Sequence, residues 1–247
     1  MPSVSEQARV LEHEPGDLTC IVDAGLPLSR LQAAVGEHDQ RFSLDPPGDP
    51  SLGECLLADL SGPLRHRFGT MRDLVIGVTV TLLDGTRASS GGKVVKNVAG
   101  YDLGKLFCGS RGRLGSVERI ALRLHPQPAA RRTVAVGADR WLALHHSGLV
   151  PSAVDLVGDR MLVLFEGGEG AVHAQAAELG GEDVEPWTEV RALQAELRRR
   201  VRWDGGAAPL VRPGPRVAYV EGEPAEAWSP LAERVVEALR KASCSQT

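Results

Sequence analysis

The chain has 247 residues, 43% of them hydrophobic, and a formal net charge of −4. That apolar content suffices for a buried core, in one large domain or two small ones, and the mildly acidic balance excludes a general electrostatic affinity for nucleic acid or anionic lipid. The four cysteines, Cys20, Cys55, Cys108 and Cys244, lie far apart without a C-x-x-C pair, which indicates neither zinc nor a disulfide framework, and no apolar run reaches the about 18 residues of a membrane span.

Residues 8–25, ARVLEHEPGDLTCIVDAG, predict two short strands around a Pro15-Gly16 turn, because Leu18, Cys20 and Val22 alternate with Thr19 and Asp23. In 26–40, Leu28, Leu31, Ala34 and Val35 fall at helical spacing. The following FSLDPPGDPSLG, 42–53, is kept irregular by its prolines and glycines. LVIGVTVTLLDGTR, 74–87, is a β-branched run that ends in an Asp84-Gly85 turn, the pattern of a buried strand entering a hairpin. SVERIALRLHPQP, 116–128, alternates Val117, Ile120, Leu122 and Leu124 with polar residues and stops at Pro126 and Pro128, so a domain boundary is expected after residue 127.

The remainder, 128–247, reads as short elements: strand RTVAV, helix DRWLALHHSG, strands SAVDLVG and RMLVLFEG, and helix EGAVHAQAAELGG. This order suggests a small antiparallel α+β domain of split-βαβ type. WTEVRALQAELRRRVRW, 187–203, predicts a helix and RVAYVEGE a strand. SPLAERVVEALRKA predicts a last helix, with Ser229 as N-cap and Pro230 at its first position.

Between Gly91 and Gly115 the chain places seven glycines in 25 residues. The closing GSRGRLG has glycines three apart, a pattern that no single helix accommodates and that can turn several N–H groups toward an anionic ligand. It follows a predicted helix and precedes a strand, the reverse of a Rossmann or Walker loop. A plain tight connection between helix and strand is the alternative reading of the same spacing.

GGKVVKNVAGYDLGKLFCGSRGRLGSVERIALRLHP resembles the closing part of the flavin domain in the FAD-linked oxidases related to vanillyl-alcohol oxidase, and among them the GlcE type of glycolate oxidase subunit. The likeness continues upstream through EPGDLTCIVDAGLPLSRLQAAV, LDPPG, LSGP and RFGTMRDLVIG, and covers residues 9–127. It implies an α+β fold: a partial FAD-binding domain of PCMH type over 1–127, then a small antiparallel α+β cap-like domain over 128–247. By position it places Pro46 in the loop that approaches the flavin and Gly53, Ser61 and Gly62 along the dinucleotide. Gly112, Leu114, Gly115 and Val117 would meet the cofactor near the strand start. Asp73 matches the family's RD motif with a structural alternative, and Asp102 fits the N-cap of the helix LGKLFC.

Three departures from the family pattern concern cofactor binding. The family's R-G-G-G-T loop around the FAD diphosphate belongs before the first residue of this chain, so the expectation is a domain without that subdomain, with FAD weakly held or lost. Gly53-Glu54 replaces a Gly-Gly pair and brings a carboxylate toward the diphosphate. Arg111 and Arg113 stand where small or acidic residues are usual, either as phosphate partners or as solvated loop charges.

No metal site is expected. None of the seven histidines has the H-x-G-D-G-N-x-H context of related 2-hydroxy-acid dehydrogenases, and His145 and His146 point in different directions on a helix. Cys108, beside the glycine loop, fits a buried small apolar residue, with a redox thiol as the alternative. Arg198, Arg199, Arg200 and Arg202 fit a charged outer helix face, with docking of an acidic partner as the alternative, and Lys93 and Lys96 either a solvated hairpin loop or an anion contact.

No catalytic acid or base is identified. Two functions stay open. One is an FAD-binding oxidoreductase subunit acting on a 2-hydroxy acid such as glycolate, with a larger catalytic flavoprotein and an iron–sulfur subunit as partners. The other is a non-catalytic interaction subunit. The expected setting is cytoplasmic, with contact to the inner membrane face only through partners.

Overall fold

A computed structural model describes residues 8–92 and 102–222, which form two antiparallel sheets with helices packed on them. The expected C-terminal helix at 229–242, Lys93, Lys96 and Cys244 lie outside the described residues.

The first sheet contains β1 (Val10–Glu14), β2 (Thr19–Asp23), β4 (Val75–Leu82), β5 (Arg87–Gly91) and β6 (Gly115–Arg123), in the order β1-β2-β6-β4-β5. The predicted hairpin at Pro15-Gly16 is present: Leu18 takes a left-handed φ of 54° and returns its N–H to Pro15 O. Helices α1 (Leu28–Gly36) and α2 (Leu52–Ala58) bury Leu28, Leu31, Val35, Leu52, Cys55 and Leu56 in one core with Val22, Val78, Val80, Ile120 and Leu122. Three short helices complete this part: α3 (Arg65–Phe68), α4 (Met71–Leu74) and α5 (Leu103–Phe107).

The second sheet is antiparallel throughout, in the order β11-β8-β10-β9-β13-β14-β12. It comprises β8 (Ala130–Gly137), β9 (Ala153–Val157), β10 (Arg160–Gly167), β11 (Glu182–Asp183), β12 (Arg199–Arg202), β13 (Leu210–Arg212) and β14 (Val217–Val220). Strand β10 reads as a continuous apolar run because both of its faces are covered. Met161, Val163 and Phe165 pack with Val172, Ala176 and Leu179 of α7 (Glu169–Leu179), while Leu162 and Leu164 pack with Trp187, Val190 and Leu197 of α8 (Trp187–Leu197).

Two expectations are corrected here. The helix predicted over 187–203 stops at Leu197, Arg198 turns at φ 50°, and Arg199–Arg202 becomes a strand paired with β14. Leu197 is the last residue of that stretch to be deeply buried, so the pairing groups of β14 decide the backbone after it. The helix predicted at 139–148 contracts to α6 (Trp141–His145) after a 3₁₀ turn.

The two sheets meet along a seam. Leu64 and Phe68 of the first part join the core of the second. A short ribbon, β3 (Gln40–Arg41) with β7 (His125–Pro126), carries Arg41, whose two terminal nitrogens each reach Glu166 at 2.8 Å. His125 stacks on Phe68 with centroids 4.7 Å apart, and its Nδ1 is buried without a partner. Burial, with Arg123, Arg41 and Arg67 adding, pushes this imidazole down from 6.5 to about 4. The unfolded chain therefore binds a proton that the folded chain refuses, and stability falls as pH drops from about 6.5 to about 4. His125→Phe should lower the proton uptake on unfolding by about one at pH 5. Parallel stability-against-pH curves for variant and wild type would refute this.

Candidate functional site

Helix α2 organises the segments singled out in the sequence. Its start is a capping box: the Glu54 N–H donates to Ser51 Oγ at 3.3 Å, and Glu54 Oε2 accepts from the Ser51 N–H at 2.7 Å. Glu54, expected to face a diphosphate, is thus held on the N-terminus of its own helix. At the other end, the carbonyls of Leu56 and Leu57 accept from the Gly109 and Arg111 N–H groups at 2.9 and 2.8 Å. The glycine-rich loop therefore rests on the C-terminus of α2. Ser61-Gly62 follows directly and lies on the Asp45-Pro46 segment so closely that a Cβ at Gly62 would collide with the Asp45 carbonyl.

Pro46, Ser61, Gly62 and Gly112 accordingly belong to segments gathered around one end of α2. Gly53 sits at the other end, engaged through its N–H with Ala24 O at 2.7 Å. Leu114 is a core residue, and Gly115 and Val117 pair with Leu82 and Val80 inside the sheet. Arg111 and Gly112 take successive left-handed conformations, φ 52° and 75°, and the flanking N–H groups of Arg111 and Arg113 donate to Leu57 O at 2.8 Å and Ser110 O at 3.1 Å.

Asp45 is the most perturbed carboxyl that keeps contact with solvent. Burial pushes it up to about 7, against the Leu64 N–H, which it accepts at 3.0 Å, and the charges of Arg212 and Arg191. Behind it lies a dry polar network. Arg212 donates to Asp155 at 3.0 Å, to the Tyr219 hydroxyl at 2.7 Å and to Gln194 Oε1 at 2.7 Å. Gln194 Nε2 in turn donates to the Ser61 carbonyl at 2.8 Å, linking the second sheet to the Ser61-Gly62 turn.

Sequence reasoning missed Asp155, Gln194, Arg212 and Tyr219. A lone acid inside the apolar SAVDLVG was the one available signal, since a buried carboxylate requires a partner.

Other candidates take structural places. Asp102 caps α5 by accepting the Lys105 N–H at 3.0 Å, and Asp73 closes a capping box with Thr70. Arg200 crosses the seam to Asp59 at 3.3 Å. Cys108 donates to Asp59 at 3.2 Å, and burial pushes its thiol up. Burial likewise raises Cys20 and Cys55 to about 12, outside the range of a reactive thiolate. Among the described residues no group of three His, Cys, Asp or Glu could hold a metal.

Six buried side-chain atoms lack a hydrogen-bond partner among the described residues, and three of them, Ser43 Oγ, Arg65 Nε and Ser110 Oγ, fall in the segments around Pro46, Ser61-Gly62 and the glycine loop. Buried polar groups are normally satisfied, so these segments offer donors to a polar ligand.

Residues 3–91 match the family model of the FAD binding domain. The chain carries an FAD binding domain. It is 32% identical over 197 residues to the glycolate oxidase subunit GlcE of Escherichia coli (strain K12), covering 75% of this chain and 56% of that protein. It is 32% identical to the mitochondrial D-lactate dehydrogenase [cytochrome] 1 of Saccharomyces cerevisiae, over 65% of this chain and 28% of that one. Against the glycolate oxidase subunit GlcD of Bacillus subtilis (strain 168) the identity is 36%, over 51% and 27%. A solved alkyldihydroxyacetonephosphate synthase shares the fold, with a TM-score of 0.59 at 14% identity over 71% of this chain and 40% of that chain. The chain thus spans 56% of the length of GlcE and less than a third of that dehydrogenase and GlcD. Among its described residues the chain has no helix long and apolar enough to cross a membrane.

Proposed function

We propose that the chain is an FAD-binding oxidoreductase subunit that serves the oxidation of a 2-hydroxy acid such as glycolate within a multi-subunit complex. A larger flavoprotein subunit and an iron–sulfur subunit are its partners, and the complex works on the cytoplasmic side. In this reading 1–127 is the flavin unit and 128–247 the cap-like unit. The observation that carries it is the set of unpartnered buried atoms, Ser43 Oγ, Arg65 Nε and Ser110 Oγ, in three segments gathered around α2. The backbone of Pro46, Ser61, Gly62 and Gly112 and the hydroxyls of Ser43 and Ser110 would hold the cofactor. Gly53, Leu114, Gly115 and Val117 support that cradle from the fold. When bound, FAD supplies the acceptor of the substrate's hydride.

Ser110→Ala tests this reading without confusing cofactor loss with misfolding. The hydroxyl has no partner among the described residues, so its removal should leave the melting temperature unchanged or slightly raised. FAD affinity, followed by flavin absorbance or fluorescence on titration, should fall about fivefold, the worth of one neutral hydrogen bond. Unchanged affinity in a chain that takes up FAD would place the cofactor elsewhere. A wild-type chain that takes up no flavin would support the second reading, a non-catalytic interaction subunit, for which the internal engagement of the Gly53 N–H speaks.

A further inference from the structure

Strand β12 (Arg199–Arg202) is an edge of the seven-stranded sheet, paired with β14 on one side. The register fixes which backbone groups stay open. The Trp203 N–H donates to Arg216 O at 2.9 Å, and bonded pairs alternate along an antiparallel ladder. Val201 and Arg199 therefore bond to β14, while the N–H and C=O groups of Arg200 and Arg202 point away from the sheet, with no partner among the described residues.

Cations are in excess along this edge. Residues 196–204 and 216–222 carry five arginines against three acids, Glu196, Asp204 and Glu221, in a chain of net charge −4. Arg198, Arg199, Arg202 and Arg216 are exposed, and their side chains make no ion pair or hydrogen bond among the described residues. Arg200 holds Asp59 at 3.3 Å, and Asp204 is turned into its own loop by the Gly206 N–H at 3.0 Å.

Charge on an edge strand keeps sheets from pairing indiscriminately, and here it narrows what can dock. The opposite edge of the same sheet, β11, is acidic, but its carboxylates are committed. Glu182 pairs with Arg160 at 3.1 Å, Asp183 with Arg132 at 2.6 Å, and the neighbouring Glu185 with Arg131 at 3.6 Å. A second copy thus offers no free counter-charge at its other edge. A phosphate polyanion supplies acceptors alone and leaves the outward carbonyls of Arg200 and Arg202 without donors. An extended peptide supplies donors and acceptors at strand spacing, and its carboxylates suit the guanidinium forks. We infer that β12 is the docking edge for an extended acidic segment of a partner protein, which adds a strand to the sheet; this rests on the multi-subunit reading above and gives it a surface.

The test titrates the full chain into a labelled short peptide of alternating glutamate and valine at low ionic strength, followed by fluorescence anisotropy. Wild type should bind it at least tenfold tighter than the matching lysine–valine peptide. Arg199→Glu combined with Arg202→Glu should weaken binding at least tenfold, as loss of charge-assisted contacts requires. Methylating every backbone nitrogen of the peptide keeps its charge, removes its donors, and should abolish binding. Both arginines are exposed, so the double variant should keep the wild-type melting curve and flavin affinity. Lack of preference for the glutamate peptide, or equal affinity in the double variant, would overturn the proposal. Undiminished binding of the methylated peptide would do so by assigning the edge to polyanions, and self-association that the double variant loses by assigning it to a second copy. A chain that takes up flavin but no peptide sinks this proposal alone, and one that binds the peptide through Arg199 and Arg202 but takes up no flavin upholds it and sinks the cofactor reading.

Discussion

Asp155→Ala is expected to destabilise the chain by about 3–5 kcal/mol, the cost of leaving a buried charge uncompensated. Both side chains of the Asp155–Arg212 pair are fully inaccessible to solvent. Arg212 Nε lies 3.0 and 3.2 Å from the two carboxylate oxygens and Nη2 3.2 Å from one of them. Without Asp155 the guanidinium keeps, as hydrogen-bond acceptors among the described residues, the Tyr219 hydroxyl and Gln194 Oε1, both neutral, with Asp45 as the remaining nearby acid. At about 2–4 °C per kcal/mol for a chain of this size, the melting temperature should drop by about 6–20 °C. The double change Asp155→Leu with Arg212→Met removes both charges and keeps volume, and should return to within about 2 kcal/mol of wild type. A single variant within about 1 kcal/mol of wild type would show that the pair is not held dry. Because Gln194 bonds both Arg212 and the Ser61 carbonyl, the same change should also loosen the Ser61-Gly62 turn.

Elements whose cause is local were legible in the sequence. The hairpin at Pro15-Gly16, helix α1, and the hairpin at Asp84-Gly85 follow from periodicity and turn chemistry within a few residues. Helix α2 was readable too, since Ser51 and Glu54 spell a capping box ahead of an apolar run, but the prolines before it masked the signal. Strand β12 was not: Arg199–Arg202 has no apolar pattern, and its conformation is set by hydrogen bonds to β14, some twenty residues away. Arg212 is the extreme case. A three-residue strand ending in arginine says nothing of Asp155, 57 positions earlier, and only the sheet order brings them together. In the candidate site, the resemblance and not the spacing singled out the segments. Spacing alone gives no way to tell a glycine required by a ligand from one required by a neighbouring strand.

Gly115 shows the difference and carries the second large expected effect. By the resemblance it belongs to a cofactor loop; in the fold it is the first residue of β6, opposite Leu82, at φ 137°. A Cβ there would collide with the Thr81 carbonyl and press on Leu82 Cα, both backbone atoms of β4 that no side-chain rotation can clear. Gly115→Ala should therefore cost about 3 kcal/mol or more, combining overpacking with a disfavoured φ, with or without FAD. Gly112 separates the two causes. It also has a positive φ, 75°, but the nearest atom to a new Cβ is 4.0 Å away. Gly112→Ala should thus cost only about 1 kcal/mol from backbone strain, while altering the N–H groups that the oxidoreductase reading assigns to the cofactor. Arg113→Ala, an exposed change, should stay below about 1 kcal/mol. Denaturant melts of the FAD-free chain rank the three variants by their fold contributions, and flavin titrations rank them by binding. Gly115→Ala melting like wild type while losing flavin would return Gly115 to the cofactor; the geometry of β4 and β6 instead predicts that Gly115 leads the first ranking and Gly112 the second.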